Sequence, residues 1–459
     1  MGSGGLGRAV AGLLVAALTS TSALAVEDLR LWHAMRGAHG AALEALVTRF
    51  NGSQKDVRVL PVYKGPYEQT LREGLAASGK PDGPDLLQVY EVGAADMIAA
   101  RDAVRPLWRL MVETGQPLDH GKFVPAIAAF YGDAQGRMLA LPFNVSTPVM
   151  FYNRDAFRRA GLDPEAPPKT WYEMPAVLGA MVDKQVACPM TTSWPSWVLI
   201  ENMGAWHNQP FASHDNGLGG VQARLEFNTR LMVRWVSMLA SWHKGGYFVW
   251  SGRENAAEGR FASGECAVLL ASASAYEDLK NAVKFELGVA QFPHYDDFPE
   301  APQNTLIGGG ALWAMGGRSR ETYRGVARFV SWLTLPETQV AWHGATGYLP
   351  VTRAGYERAK ADGLYQKLPG HEVAIRQLLL RNPQKESKGI RIGHFLQVRA
   401  IIHEELEAVW EKGKAPMDAL NAAVQRGNEL LEQFERANAT AAEPAARAPA
   451  RAPTRRGKK

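Results

Sequence analysis

Short apolar runs alternate with amphipathic stretches along the first part of the chain. Three of these runs are typical of β-strands: 28–33, 57–62 and 85–90. Between the first two, four apolar residues recur at the i, i+3, i+4, i+7 spacing of a helix face: Leu43, Leu46, Val47 and Phe50. A second helix-like stretch, 67–77, leads to the third run. Strands that alternate with helices predict βαβ units and a parallel sheet.

A second set of strands and helices is predicted after residue 141. It begins with an extended, almost uncharged segment at 142–153, and strand-like runs follow at 186–192 and 266–271. A glycine-rich segment at 306–313 then connects this half to further helices, the last of which is amphipathic over 417–434. Two sets of elements of this size predict an α/β chain with two large folding units.

The N-terminus is typical of a secretory signal. Arg8 precedes an apolar run at 9–18, and Ala23, Leu24 and Ala25 form the small-x-small site that signal peptidase cleaves. We therefore expect cleavage after Ala25 and export to the periplasm. The first residue after that site is Val26. A bacterial lipoprotein would need a cysteine there, so no lipid anchor is expected.

The net charge of +5 over 459 residues does not describe the body of the protein. The segment 437–459 contains six basic residues and one acid, a net charge of +5, and Arg8 adds one more. Subtracting both contributions leaves −1 for residues 26–436. A near-neutral body excludes a nucleic-acid binder built on a broad basic face. The segment 437–459, rich in Ala, Pro, Arg and Lys, has almost nothing to bury and is predicted to be disordered.

The chain has two cysteines, Cys188 and Cys266. In an exported protein such a pair is compatible with a disulfide, and each residue adjoins a strand-like run that could be a sheet neighbour of the other. Two unbridged cysteines buried as small apolar residues fit the sequence equally well. The sequence leaves both interpretations open.

Sequence motifs of catalysis are missing. The stretch from His403 to Glu407 has Glu where the second histidine of a zinc-binding H-E-x-x-H helix would stand. The chain contains neither a G-x-S-x-G nucleophile turn nor a G-x-x-x-x-G-K-[ST] phosphate loop. We therefore predict that the protein is not an enzyme and that it needs neither a metal nor another cofactor.

Several stretches carry a family resemblance that extends over residues 27–436. They are 61–69, 87–93, 142–148, 162–171, 194–197, 301–309, 346–350, 388–393 and 397–399. In these stretches the chain resembles the family-1 solute-binding proteins of bacterial ABC importers, the class that includes maltose-binding proteins. Within that class it is most similar to the branch that binds sn-glycerol-3-phosphate.

The resemblance implies a type II, Venus-flytrap fold with two lobes and three crossings near 144–149, 303–309 and 344–350. It predicts lobe 1 over 26–145 and 306–346, and lobe 2 over 146–305 and 347–436. A ligand that bridges the lobes would stabilise the closed state, which would deliver it to membrane permease subunits. We expect a monomer that hydrolyses no ATP itself.

The resemblance also places nine ligand contacts, namely Tyr67, Glu91, Ser146, Trp194, Trp197, Ser272, Gly309, Tyr348 and Arg399. In our interpretation, the phosphate accepts hydrogen bonds from the Arg399 guanidinium, from the Tyr348 and Ser272 hydroxyls and from the Gly309 N–H. Glu91 would accept hydrogen bonds from the polyol hydroxyls, and the two tryptophans would cover the carbon chain. A lone Arg399 could equally be a surface ion-pair partner of Glu404 or Glu405.

Two positions leave the preferred ligand open. Val145 and Ala273 stand where some relatives are expected to have hydroxyl side chains. Glycerophosphodiesters such as glycerophosphocholine therefore remain alternatives to glycerol-3-phosphate, and a neutral oligosaccharide is a further one. A periplasmic hydrolase of these diesters would need a metal cluster or an acid/base pair beside Arg399, which the sequence does not indicate.

Overall fold

The computed structural model describes residues 26–439 together with Met1. The predicted signal peptide and residues 440–459 of the predicted tail lie outside the described residues. The last helix ends at Asn438, whose side-chain amide donates to the Phe434 carbonyl at 2.8 Å. The predicted start of the tail after residue 436 is therefore slightly too early, because the amphipathic helix continues past it.

Nine strands and nineteen α-helices are present in the described residues, together with five short 3-10 helices and one π-helix. The strands are β1 Glu27–His33, β2 Val57–Tyr63, β3 Leu86–Tyr90, β4 Leu141–Ser146, β5 Pro148–Asn153, β6 Cys188–Thr192, β7 Cys266–Ser272, β8 Leu287–Ala290 and β9 Gly308–Ala314. The helices are α1 Gly37–Ser53, α2 Tyr67–Ala76, α3 Ala94–Ala99, α4 Leu107–Glu113, α5 Pro125–Tyr131, α6 Arg154–Arg159, α7 Met174–Asp183, α8 Asn202–Trp206, α9 Ser213–Asn216, α10 Arg230–Lys244, α11 Ala256–Ala262, α12 Tyr276–Ala282, α13 Arg320–Leu333, α14 Pro336–Thr346, α15 Arg353–Ala361, α16 Leu364–Lys367, α17 Pro369–Leu379, α18 Phe395–Lys412 and α19 Pro416–Asn438.

The first sheet has five strands in the order β2-β1-β3-β9-β4. β1 runs parallel to β2 and to β3, as the alternation of strands and helices predicts. β9 is antiparallel to both β3 and β4, so the prediction of a wholly parallel sheet is wrong. The physical reason is that β9 returns from the second sheet through an extended crossing rather than through a helix that would restore the parallel direction.

The second sheet has four strands in the order β6-β7-β5-β8. Cys188 and Cys266 are directly opposite each other on the parallel pair β6 and β7, with their Cα atoms 4.4 Å apart, and they form a disulfide. The bridge therefore joins two neighbouring strands that lie 78 residues apart in the sequence.

The chain passes between the two sheets at three places that are hydrogen bonded to one another. The first crossing is Thr147, between β4 and β5, and its hydroxyl donates to the Leu306 carbonyl at 3.3 Å in the second crossing. The third crossing follows α14, where the Leu349 N–H donates to the Val145 carbonyl at 2.7 Å. These bonds gather the three crossings at one edge of the cleft, where a hinge is expected.

The chain keeps contact with the first lobe beyond residue 346. The Val124 N–H donates to the Val351 carbonyl at 3.0 Å, and α15 packs against α14. The proposed lobe boundary at 346 stays a prediction. Among the helices of residues 26–439, none combines the length and the apolar character needed to cross a membrane.

Candidate ligand-binding site

Arg399, on α18 of the second lobe, lies between two carboxylates. Its Nη2 atom is 2.8 Å from Oε1 of Glu91, which directly follows β3 in the first lobe. Its Nε and Nη2 atoms each donate to Glu201 at 2.7 Å, so this second pair is bidentate. The three side chains form an ion-pair cluster, named here the carboxylate–guanidinium cluster, that spans the cleft between the lobes.

Burial and charge act against each other in this cluster. Burial acts to lower the pKa of Arg399, but Glu201 and Glu91 outweigh it and raise that pKa well above its ordinary value. Burial raises the pKa of Glu91, although the charge of Arg399 opposes the shift. Arg399 therefore stays charged, and its charge opposes the rise in the pKa of Glu91 that burial causes.

The alternative of a surface ion pair for Arg399 is wrong. Glu404 and Glu405 pair instead with Arg426, at 2.5 Å and 2.9 Å. Both glutamates lie one to two turns along α18 from Arg399, on a different face of the helix. The helix therefore has an outer set of ion pairs and an inner one, and Arg399 belongs to the inner set.

A π-helix, Ser196–Glu201, positions Glu201 of the cluster and the Ser196 hydroxyl beside it. Glu201 also accepts a hydrogen bond from the Ser196 hydroxyl at 3.0 Å, which fixes its carboxylate. The buried Trp197 ring packs on Gly308, where an added Cβ would be 2.6 Å from the ring. Single turns of π-helix are frequent at functional sites because they reorient a few side chains within a helical segment.

Trp194 lies just before this π-helix. Its backbone has a left-handed conformation, with φ 51°, and its N–H donates to the Glu254 carbonyl at 2.7 Å. The ring is partly exposed and packs against the core of the second lobe. Its predicted role as a wall for the ligand stays a prediction.

Three serine hydroxyls meet where the first crossing approaches the end of β7. Ser146 Oγ is 2.6 Å from Ser272 Oγ, and Ser272 Oγ is 2.8 Å from Ser274 Oγ. The Ser274 N–H donates to the Ser146 and Ser272 hydroxyls at 3.2 and 3.3 Å. Because β4 and β7 belong to different sheets, these hydroxyls also join the two lobes.

Two tyrosines, Tyr67 and Tyr348, lie beside these three serines. We name the five side chains the hydroxyl cluster. Tyr67 begins α2, stacks on Tyr90 with 5.0 Å between ring centroids, and accepts a hydrogen bond from the Asn144 amide at 2.8 Å. Burial raises the pKa of Tyr348, while the neighbouring Asn144, Ser274 and Tyr67 side chains act in the opposite direction. Burial also raises the pKa of Tyr67. Both phenols therefore stay protonated and can donate hydrogen bonds.

Gly309 is required by the backbone itself. Its φ is +88°, and an added Cβ would be 1.8 Å from the Asn144 carbonyl oxygen on the neighbouring strand β4. Glycine adopts this conformation without strain and permits the close approach. The strand pairing alone accounts for glycine at this position, and its predicted N–H contact to a ligand stays a prediction.

A scan against protein-family models matches residues 45–372 to a family described as bacterial extracellular solute-binding protein. The chain belongs to this family. It is 44% identical to the sn-glycerol-3-phosphate-binding periplasmic protein UgpB of Yersinia pestis (strain Antiqua), over 91% of this chain and 95% of that protein. It is 43% identical to the UgpB protein of Salmonella paratyphi A, over 93% of this chain and 98% of that protein.

Solved structures share the fold of this solute-binding protein. The cyclic α-maltosyl-1,6-maltose-binding protein of Arthrobacter globiformis has a TM-score of 0.73 at 21% identity and covers 89% of this chain and 100% of its own. UgpB of Mycobacterium tuberculosis, crystallised with glycerophosphocholine, has a TM-score of 0.71 at 21% identity and covers 89% of this chain and 99% of its own. Both confirm the two-lobed α/β fold that the sequence predicts.

The sequence did not identify several residues at the site of this solute-binding protein. Glu201 stands in an apolar run with no motif around it, and Asn144 is recognisable in the sequence only as the first residue of a glycosylation sequon, Asn144-Val-Ser146. Ser274 carried one weak signal, a second hydroxyl two residues after Ser272. Glu258, on α11, is a further, partly buried carboxyl. Burial, together with Asp278, raises its pKa to about 7.

Proposed function

We propose that this chain captures sn-glycerol-3-phosphate in the periplasm by closing its two lobes, and delivers it to the permease of an ABC importer. The observation that carries the proposal is the division of the predicted site into two chemically different ends. The hydroxyl cluster is rich in neutral donors, and the carboxylate–guanidinium cluster is rich in acceptors. The identity of 43–44% to proteins named for this ligand supports the same assignment.

The hydroxyl cluster fits the phosphate. Its serine hydroxyls and the two phenols can all donate to phosphate oxygens, and none of them carries a negative charge that would oppose the dianion. Hydrogen bonds to an ionised acceptor contribute about 1.5–3 kcal/mol each. Four such bonds at the upper end of this range reach micromolar binding, about −8 kcal/mol, after association costs of at least about 4 kcal/mol.

The carboxylate–guanidinium cluster fits the glycerol end. It contains two carboxyl groups, Glu91 and Glu201, and one guanidinium, Arg399. A second anion placed against it would be repelled, whereas glycerol hydroxyls can donate to the carboxylates and accept from the guanidinium. We therefore assign Arg399 to the polyol, in place of the phosphate contact that the sequence suggested. We assign the Trp197 ring to the carbon chain, which it would cover.

Each end of the proposed site is built from both lobes. Glu91 directly follows β3 and Ser146 ends β4, both strands of the first sheet, while Arg399 and Ser272 belong to the second lobe. A ligand that contacts both ends gains most of its interactions only when the lobes are closed. Its differential affinity for the closed state would therefore drive closure.

Calorimetry on the mature chain, with three ligands, tests the proposal. We expect glycerol-3-phosphate to bind with micromolar or tighter affinity and maltose not to compete with it. A tighter complex with glycerophosphocholine would replace the monoester by the diester as the main ligand. Absence of binding to glycerol-3-phosphate would overturn the proposal. Mass spectrometry of ligand retained through purification, and of the mixture after incubation, would identify the natural ligand and would detect hydrolysis.

A further inference from the structure

A chain of three hydrogen bonds, of which the middle one is fully buried, ends on the Tyr67 hydroxyl. The Ala34 N–H donates to Gln88 Oε1 at 2.8 Å, Gln88 Nε2 donates to Asn144 Oδ1 at 2.8 Å, and Asn144 Nδ2 donates to the Tyr67 oxygen at 2.8 Å. Gln88 and Asn144 are both completely buried. This set of bonds is named here the amide relay.

The direction of every bond in the amide relay is fixed by its first member. A backbone N–H can only donate, so the atom of Gln88 that faces Ala34 must be the amide oxygen. The Gln88 nitrogen therefore faces Asn144, whose oxygen must accept, and whose own nitrogen must face Tyr67. Tyr67 receives a hydrogen bond from Asn144 and has to donate its proton elsewhere.

The two amides can meet because β9, the strand between them, has a glycine where a side chain would otherwise separate them. Gln88 is on β3 and Asn144 is on β4, and β9 lies between these strands in the sheet. Gly310 of β9 pairs with both Tyr90 and Asn144, and an added Cβ there would be 3.0 Å from Asn144 Oδ1. The glycine-rich segment of β9 thus gives the two amides room to meet across a strand.

We propose that Gln88 and Asn144 are positioning residues that make Tyr67 an obligate hydrogen-bond donor to the anionic group of the ligand. This inference rests on the proposed function, since it concerns how that site selects its ligand. A fixed donor favours a group that only accepts, such as a phosphate oxygen. It disfavours a group that needs an acceptor, such as an ammonium or amide N–H placed at the same point.

A double-mutant cycle with glycerol-3-phosphate tests the relay. Asn144→Asp keeps the shape of the side chain but offers an oxygen to Tyr67, which would capture the phenol proton. We expect this change to weaken binding about tenfold or more beyond its effect in a Tyr67→Phe background. The added charge would repel the phosphate equally in both backgrounds, so the difference isolates the phenol.

Gln88→Met tests the same relay without a new charge and at a greater distance from the ligand. It removes the donor that holds the Asn144 amide in one orientation, so part of the population can reverse. We expect binding to weaken about threefold or more with Tyr67 present and to be unchanged with Tyr67→Phe. Thermal unfolding of each variant identifies any that fails to fold. If one of the two variants, Asn144→Asp or Gln88→Met, does not fold, the cycle with the other variant tests the relay.

The outcomes separate this inference from the proposed function. If the unmodified protein does not bind glycerol-3-phosphate, both are overturned. If it binds, and the effects at positions 144 and 88 are the same with and without the Tyr67 hydroxyl, only the amide relay is overturned. Coupling in either cycle supports the positioning role.

Discussion

Arg399 and Glu91 meet across the cleft, with Nη2 and Oε1 2.8 Å apart, although one belongs to the second lobe and the other to the first. Glu201 holds the same guanidinium from the other side in a bidentate pair. A single cation thus compensates two buried carboxylates, which links the stability of the fold to the proposed site.

Arg399→Ala is expected to abolish ligand binding or to weaken it by at least about tenfold, and to lower the free energy of unfolding by about 3–5 kcal/mol. The reason is that Glu91 and Glu201 would be left buried without a counter-charge. Calorimetry and denaturant unfolding measure the two effects. Arg358→Ala is the matched control, because Arg358 pairs with Asp362 at an exposed position next to α15. Its expected effect on stability is about 0–1 kcal/mol. Equal effects at the two positions would contradict the special role of Arg399.

Glu258→Gln is expected to stabilise the protein at pH 8 and to have a much smaller effect on its stability at pH 5. Burial raises the pKa of this carboxyl to about 7 from an ordinary value of 4.5, so the folded state holds the proton more tightly than the unfolded state. Stability from this group is therefore present below pH 4.5 and is lost as the pH rises to 7. Because glutamine cannot ionise, the variant does not lose this stability as the pH rises.

Denaturant unfolding at pH 5 and pH 8 measures this difference between the variant and the unmodified protein. Glu432→Gln, at an exposed position of α19, serves as the control. The prediction is refuted if Glu258→Gln has the same stability relative to the unmodified protein at both pH values.

Replacing both cysteines by serine is expected to lower the free energy of unfolding by about 2–4 kcal/mol. The disulfide closes a loop of 78 residues, so its loss increases the entropy of the unfolded chain. Unfolding in the presence and absence of a reductant provides the check. The reductant should destabilise the unmodified protein and have no effect on the variant. An unmodified protein that is insensitive to full reduction would show that the bridge contributes little.

Arg391→Gln is expected to favour separation of the lobes. The partly buried Arg391 guanidinium donates from the second lobe to the Gly132 and Phe130 carbonyls of the first at 3.0 and 3.3 Å, and to the Leu218 carbonyl at 3.2 Å. Gly132 and Phe130 are at the C-terminal end of α5, where carbonyl groups attract a cation. Burial lowers the pKa of Arg391 to about 10.

Small-angle scattering of the ligand-free protein measures the expected opening as a larger radius of gyration, and calorimetry should show affinity weakened by about tenfold. Arg58→Gln is the control, since Arg58 pairs with Asp28 within the first sheet. If Arg391→Gln scatters like the control, the contact does not hold the lobes together.

The elements of this protein follow from local patterns in its sequence. The helix-face residues Leu43, Leu46, Val47 and Phe50 are the four buried residues of α1, and the strand-like runs at 57–62 and 85–90 correspond to β2 and β3 within a residue. Such periodicity reflects which face of each element is buried, and each element carries this information itself.

The contacts within the candidate site were decided by the tertiary structure. Ser146 and Ser272 meet across 126 residues, and Arg399 and Glu201 across 198. Nothing in the spacing of these residues marks them as partners, because their distance is set by two sheets, three crossings and a π-helix together. The amide relay depends further on the strand order β3-β9-β4, which places the glycine-rich strand β9 between the Gln88 and Asn144 side chains. The sequence by itself determined the elements, the family and nine candidate residues, whereas only the packed fold decided which charge lies beside which hydroxyl.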